Sequence, residues 1–211
     1  MIDPFDKHNF ATQPEYHTKE RKIYARSQVI EAYRKITGLQ SIPENKGYWT
    51  LCNKQPNKPG VEIIQLQESG FLQKKQFFGV DNDFKNEGII ESNRLAHPDA
   101  NWFKGDWLEV IAENYEIFNP ALIHLDYTKT VLKDSCHVFV ATTMNLCPKE
   151  TVIAVNLMLS DGHSSKFFDP KIFIEGVIKH IRNPETWIAS TQYFQYKSSR
   201  TEMGTFVFRK I

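Results

Sequence analysis

The chain has 211 residues, enough for one well-cored domain of about 150–200 residues plus a short appendage and too few for two. Hydrophobic residues make up 41% and charged residues 24%, which excludes a disordered or fibrous protein. Lys and Arg number 26 against 25 Asp and Glu, so no global basic field draws the chain to nucleic acid or to an anionic membrane, and any such partner must be met by a local patch.

The first 17 residues, with Pro4, Pro14 and scattered polar groups, read as an irregular arm. From Thr18 to Thr37 the spacing predicts a helix, because Val29, Ile30, Tyr33 and Ile36 share one face and Gly38 is a natural stop. Six basic residues against two acidic ones make this segment the most positive part of the chain. Lys19, Lys22 and Arg26 continue the stripe of Val29, Tyr33 and Ile36 toward the amino terminus. The stripe is expected to overhang the domain's ligand face and, with Ser198, Ser199 and Arg200 of a later loop, to form a modest groove for phosphates. A solvated helix end is the alternative reading.

From Gly47 the pattern changes to strand–helix alternation, which specifies a parallel sheet with covering helices. Tyr48–Cys52 is a strand, and a polar loop follows over Asn53–Gly60. Val61–Ser69 reads as a helix closed by Gly70, Gln76–Val80 as a strand, and the stretch up to Ala96 as a helix. Asn101–Lys104 is a short strand, Trp107–Tyr115 a helix or turn, and Ala121–Leu125 a buried strand. A helix over Asp134–Leu146 is stopped by Pro148. Thr151–Leu159 is the most apolar strand, about half the length a membrane span needs. Asp169-Pro170 opens a helix to about Arg182, and strands near Trp187–Tyr196 and Met203–Arg209 form an antiparallel hairpin. The expected division is an N-terminal arm and basic helix over 1–46 and an α/β domain over 47–211.

Open α/β sheets bind ligands outside the carboxyl ends of their strands. Those ends carry Cys52-Asn53, Asp81-Asn82, Asp106-Trp107, Asp126-Tyr127 and Ser160-Asp161. A rim with four aspartates suits a hydroxyl-rich or cationic ligand and repels a bare phosphate, although Asp and Asn are also common turn residues. The three cysteines, Cys52, Cys136 and Cys147, lack a CxxC spacing, and the seven histidines form no metal-ligand pattern. Buried reduced thiols, no structural metal, no membrane span and a cytoplasmic location are expected.

Five βα units closed by an antiparallel hairpin resemble the class I S-adenosylmethionine-dependent methyltransferase fold. The resemblance covers Gly47 to Ile211 and implies a Rossmann-like three-layer sandwich with a mostly parallel seven-stranded sheet. It implies S-adenosylmethionine as cofactor, with Asp81 at the ribose hydroxyls, Asp106 at the adenine and Trp107 stacked on it. Cys52, Asn53 and Asn82 complete the expected cofactor rim. Asp126 and Tyr127 fall at the family's catalytic station, with Asp161 as a further proton acceptor. Two departures stand out. The first loop reads CNKQPNKPG where the family has a GxGxG-like run, and the fourth strand lacks the Pro-Pro-aromatic string of amino-directed DNA methyltransferases. The expected function is methyl transfer to a nucleic acid or nucleotide-like acceptor. The alternative is a catalytically inactive methyltransferase-like binding or scaffold protein.

Overall fold

The computed structural model describes residues 20–52, 61–82, 88–130, 134–159, 169–189, 194–198 and 201–211. Helix α1 runs over Glu20–Thr37, and Gly38 ends it in a left-handed conformation that a side chain would strain, its N–H donating to the Arg34 carbonyl at 2.8 Å. Strand β1 (Gly47–Leu51), helix α2 (Val61–Glu68), strand β2 (Phe77–Asp81), helix α3 (Ile89–Ala96) and strand β3 (Asn101–Lys104) follow. Helix α4 (Trp107–Glu113), strand β4 (Pro120–Thr130), helix α5 (Asp134–Leu146), strand β5 (Val152–Met158) and helix α6 (Pro170–Ile178) make the next units. Strands β6 (Trp187–Ala189), β7 (Phe194–Ser198) and β8 (Thr201–Lys210) close the chain. The alternation read from the sequence holds through α6, including the helix expected over Val61–Ser69, but the single strand expected over Trp187–Tyr196 is two strands, β6 and β7, which both pair with β8.

Helix α6 opens as its letters require: Pro170 stands in the first turn, and the Asp169 side chain caps it, accepting from the Lys171 N–H at 2.9 Å. Its end comes at Ile178, one turn earlier than expected.

The strand order is β3-β2-β1-β4-β5-β8-β6, with β7 also on β8. Strands β1 to β5 pair in parallel, whereas β8 runs antiparallel to β5, β6 and β7. Since β5 occupies one edge of β8, β6 and β7 lie in succession along the other, and the sheet is seven strands wide.

Alternate residues of each central strand face opposite layers. Tyr48, Leu122, Ala154 and Val207 pack with Val29, Ile30 and Tyr33 of α1, Ile63 and Leu66 of α2, and Ile89 and Ile90 of α3. Trp49, Ile123, Val155 and Phe206 pack with Val110 of α4, Val140 and Met144 of α5, and Phe173 of α6. This is the expected three-layer sandwich, and the carboxyl half of α1 is part of one layer.

Strand β4 departs from expectation. It continues past Leu125 to Thr130, its pairing with β5 shifting by two residues between Asp126↔Asn156 and Thr130↔Met158. The bulge carries the ladder onward, so Asp126 stands inside the strand instead of at its tip.

Candidate functional site

The order of the parallel strands reverses between β1 and β4, which places the switch point of the sheet there. Around it the structure brings together part of the sequence-predicted set. Asp81 ends β2 and is buried, and its carbonyl accepts from the Gly105 N–H at 3.0 Å, drawing the β3–α4 connection against β2. Gly105 is needed at this approach, because a Cβ there would come within 2.9 Å of Val110 Cγ2. Asp106 is exposed and caps α4, its Oδ1 accepting from the Leu108 N–H at 3.1 Å.

Two of the expected rim residues face inward. Trp107 is buried among α4 and α5, with its indole N–H donating to Thr143 Oγ1 at 3.0 Å, so its ring is committed to the core and is not presented for stacking. Cys52 is buried in the opposite layer. A Cβ on Gly79 would meet its Sγ at 2.7 Å, which means that the thiol lies directly on the neighbouring strand. Asn82 is exposed after β2. Lys19, Asn53, Asp161, Ser199 and Arg200 lie outside the described residues, and of Tyr127 only the backbone, within β4, is described.

The basic stripe also differs from expectation. Lys22 is only 6% exposed and forms an ion pair with Asp126, while Arg26, also buried, donates from Nη1 to Gln65 Oε1 at 3.3 Å. Neither cation overhangs the surface as a phosphate-binding arm. The cause is tertiary: Asp126 faces the α1–α2 layer, and a buried carboxylate is stable only with a partner. Burial pushes the Asp126 carboxyl upward, but the charge of the Lys22 ammonium and its hydrogen bond, together with the charge interactions of His124 and Arg26, outweigh it and hold the group well below the ordinary carboxylate range. Such a carboxylate is a weak base, contrary to its expected role as a proton acceptor.

A chain of polar side chains runs from this pair under α1 and α2. Asn156 of β5 points Nδ2 at His124 Nε2, 2.9 Å away, and at Asp126 Oδ1, 3.5 Å away. Thr205 of β8 donates to Asn156 Oδ1 at 2.5 Å. His124 Nδ1 lies 2.9 Å from Glu62 Oε1, and the Tyr48 hydroxyl donates to the same oxygen. All of these residues except the half-buried Asp126 are buried. Burial raises the Glu62 carboxyl, yet the hydrogen bond from His124 and the charge interaction with it, followed by the charge of Arg26 and the Tyr48 hydrogen bond, bring it net below its usual value. Both carboxylates are therefore ionised and are balanced by two buried cations. For the Tyr48 hydroxyl, burial followed by the Glu62 charge pushes deprotonation far up.

Sequence reasoning missed Tyr48, Glu62, His124, Asn156 and Thr205. A signal existed in two of them: His124 and Asn156 are the polar letters that interrupt the apolar runs ALIHL and TVIAVNLML. Their strands pair in register two residues apart, His124↔Ala154 and Asp126↔Asn156, which puts them on one face.

Comparison of the fold with solved structures settles its class. A candidate rRNA-methylase from Clostridium thermocellum superposes with a TM-score of 0.54 at 13% identity, over 88% of this chain and 95% of that one. The O-methyltransferase from Bacillus cereus in complex with SAH gives 0.52 at 14% identity, covering 92% of both chains. The chain has the class I methyltransferase fold. The M1A22 tRNA methyltransferase TrmK of B. subtilis is similar as well, with a TM-score of 0.51 at 10% identity over 86% of this chain and 65% of that one. No family model matches the sequence, and no curated protein matches it. At these identities the likeness carries the fold alone, so the chemistry of this methyltransferase-fold chain has to be argued from its own residues. Among the described residues there is no cluster of His, Cys, Asp and Glu that could hold a metal ion, and no helix long and apolar enough to cross a membrane.

Proposed function

We propose that the chain is an S-adenosylmethionine-dependent methyltransferase of the cytoplasm acting on a nucleic acid or nucleotide-like acceptor. The observation that carries this reading is the pair of carboxylates, Asp81 at the end of β2 and Asp106 just after β3, along the carboxyl edge of the parallel sheet on the β1 side of the switch point. The donor set fits a nucleoside. Asp81 can accept from both ribose hydroxyls, and Asp106, exposed at the head of α4, has a second oxygen beyond the one that caps the helix. Asn82 extends the same rim, and Asn53 is assigned to it on sequence grounds.

S-adenosylmethionine, when bound, supplies a methyl group already activated by its sulfonium. What remains for the chain is alignment of the acceptor and removal of its water. Asp126, half-buried on the fourth strand, offers carboxylate oxygens that suit the donor edge of a nucleobase better than a bare phosphate. With Asp126 ion-paired, Asp161 is the residue proposed to take a proton where the acceptor must lose one, and Tyr127 is proposed to lie along the acceptor. Solved structures of this fold that are described as acting on rRNA and tRNA support the choice of acceptor class.

Isothermal titration with S-adenosylmethionine and S-adenosylhomocysteine tests the reading. Micromolar binding that is lost in Asp81→Ala is expected. The absence of heat at millimolar ligand would leave the second reading, a methyltransferase-like binding or scaffold protein. That reading is favoured by the commitment of Asp126 to Lys22 and by the missing Pro-Pro string.

A further inference from the structure

The two halves of α1 are held by different forces. Val29, Ile30 and Tyr33 of the carboxyl half are buried in the main core, and the Ile36 carbonyl accepts from Arg209 Nη1 at 2.7 Å. Among the described residues, the amino half contributes Ala25 to a small apolar cluster with Met203 and Met158, while Ile23 and Tyr24 are 43% and 39% exposed. Polar ties there include Lys22 to Asp126, Arg26 to Gln65, and Gln65 Nε2 donating to the Ile23 carbonyl at 2.9 Å. Apolar burial has no substitute in a ligand, whereas an ammonium or guanidinium can exchange one anion for another.

We propose that the amino half of α1 is a clasp over the site, whose Lys22 and Arg26 exchange Asp126 and Gln65 for phosphates of a single-stranded nucleic acid, uncovering Asp126 as the acceptor arrives. This rests on the nucleic-acid reading given above. In the exchange Lys22 passes from a carboxylate to a phosphate and Arg26 from a neutral amide oxygen to a phosphate, so each cation keeps an oxygen acceptor. Released from Lys22, Asp126 regains basicity beside the switch point, so the site changes character only when the polyanion is present. The clasp accounts for two cations buried on the one helix where positive charge is concentrated.

Anisotropy of a labelled single-stranded RNA of about 20 nucleotides, titrated with the full chain from about 50 to 300 mM salt, tests the exchange. Lys22→Gln is expected to flatten the slope of log affinity against log salt by about 0.7, the share of one phosphate contact on a single strand. Gln65→Ala, which changes no charge, and Asp126→Asn are expected to tighten binding at fixed salt, Asp126→Asn by about tenfold because the opening step is removed. Glu185→Gln makes the same charge change at an exposed turn and is expected to alter affinity less than about twofold. If wild type binds RNA but Lys22→Gln keeps the full slope, or Gln65→Ala binds no tighter, the cations stay inside and the clasp is overturned while the nucleic-acid reading stands. If wild type binds no RNA, both fall. Should Lys22→Gln or Asp126→Asn fail to fold, the Gln65→Ala arm decides alone.

Discussion

Thr205 Oγ1 lies 2.5 Å from Asn156 Oδ1, a separation that suits O–H···O and is too short for an amide N–H donor. The contact fixes which way the Asn156 amide points. Its Nδ2 then faces Asp126 Oδ1 and His124 Nε2, so Nε2 accepts and the imidazole proton is on Nδ1, directed at Glu62. A hydroxyl on the last strand thus sets the tautomer of a histidine on the fourth.

Nitrogen NMR of the imidazoles checks this directly. His124 is expected to show a protonated Nδ1 at neutral pH, and Thr205→Ser is expected to preserve that signature. Thr205→Val leaves Asn156 Oδ1 buried without its donor and is expected to cost about 1–3 kcal/mol of stability.

Lys22→Met strands the Asp126 carboxylate against a buried face and is expected to destabilise the fold by about 3–5 kcal/mol in chemical denaturation. The double variant Lys22→Met/Asp126→Leu removes both charges and is expected to recover most of that loss. Additive losses in the two singles and the double would show that the two groups do not interact.

The depressed Asp126 carboxyl gives stability a defined pH dependence. A group whose folded value lies below its unfolded value of about 3.9 contributes fully above that value and loses its contribution as pH falls through the folded one. Glu62 acts in the same direction. Wild type is therefore expected to lose stability steeply below about pH 4, and Asp126→Asn to show a shallower acid limb with lower stability at neutral pH. Equal acid slopes for the two proteins would contradict the ion pair.

Gly176 lies mid-way along α6, where Ala would ordinarily stabilise a helix by about 1 kcal/mol. Here the sign is expected to reverse, because a Cβ would stand 2.3 Å from Nδ1 of the buried His137 ring. Gly176→Ala is expected to lower the melting temperature, and Gly176→Ala/His137→Ala to regain part of it.

Much of the fold was legible because its signals are local. Strand letters such as YWTLC and TVIAVNLML, the stops at Gly38 and Pro148 and the Asp169-Pro170 start each act within a turn or two of the residues they shape. The candidate site was legible only where its residues end strands, as Asp81 does. Trp107 was misplaced because periodicity cannot say whether an aromatic at a helix start turns to the rim or to the core. Lys22 and Arg26 were assigned to the surface because basic residues are rarely buried. Asp126, 104 residues further along than Lys22, is what makes their burial stable.

The sequence by itself determined the order and kind of the elements, the parallel sheet with its antiparallel last strand, and the acidic strand ends, since each follows from spacing and short-range stereochemistry. The tertiary structure alone decided which charges meet. Glu62, His124, Asn156, Thr205, Asp126 and Lys22 come from five different elements, and burial strengthens their attractions and makes any unpaired charge costly. No window of the chain contains that information, because the pairing exists only once the sheet has brought β4, β5 and β8 side by side beneath α1 and α2.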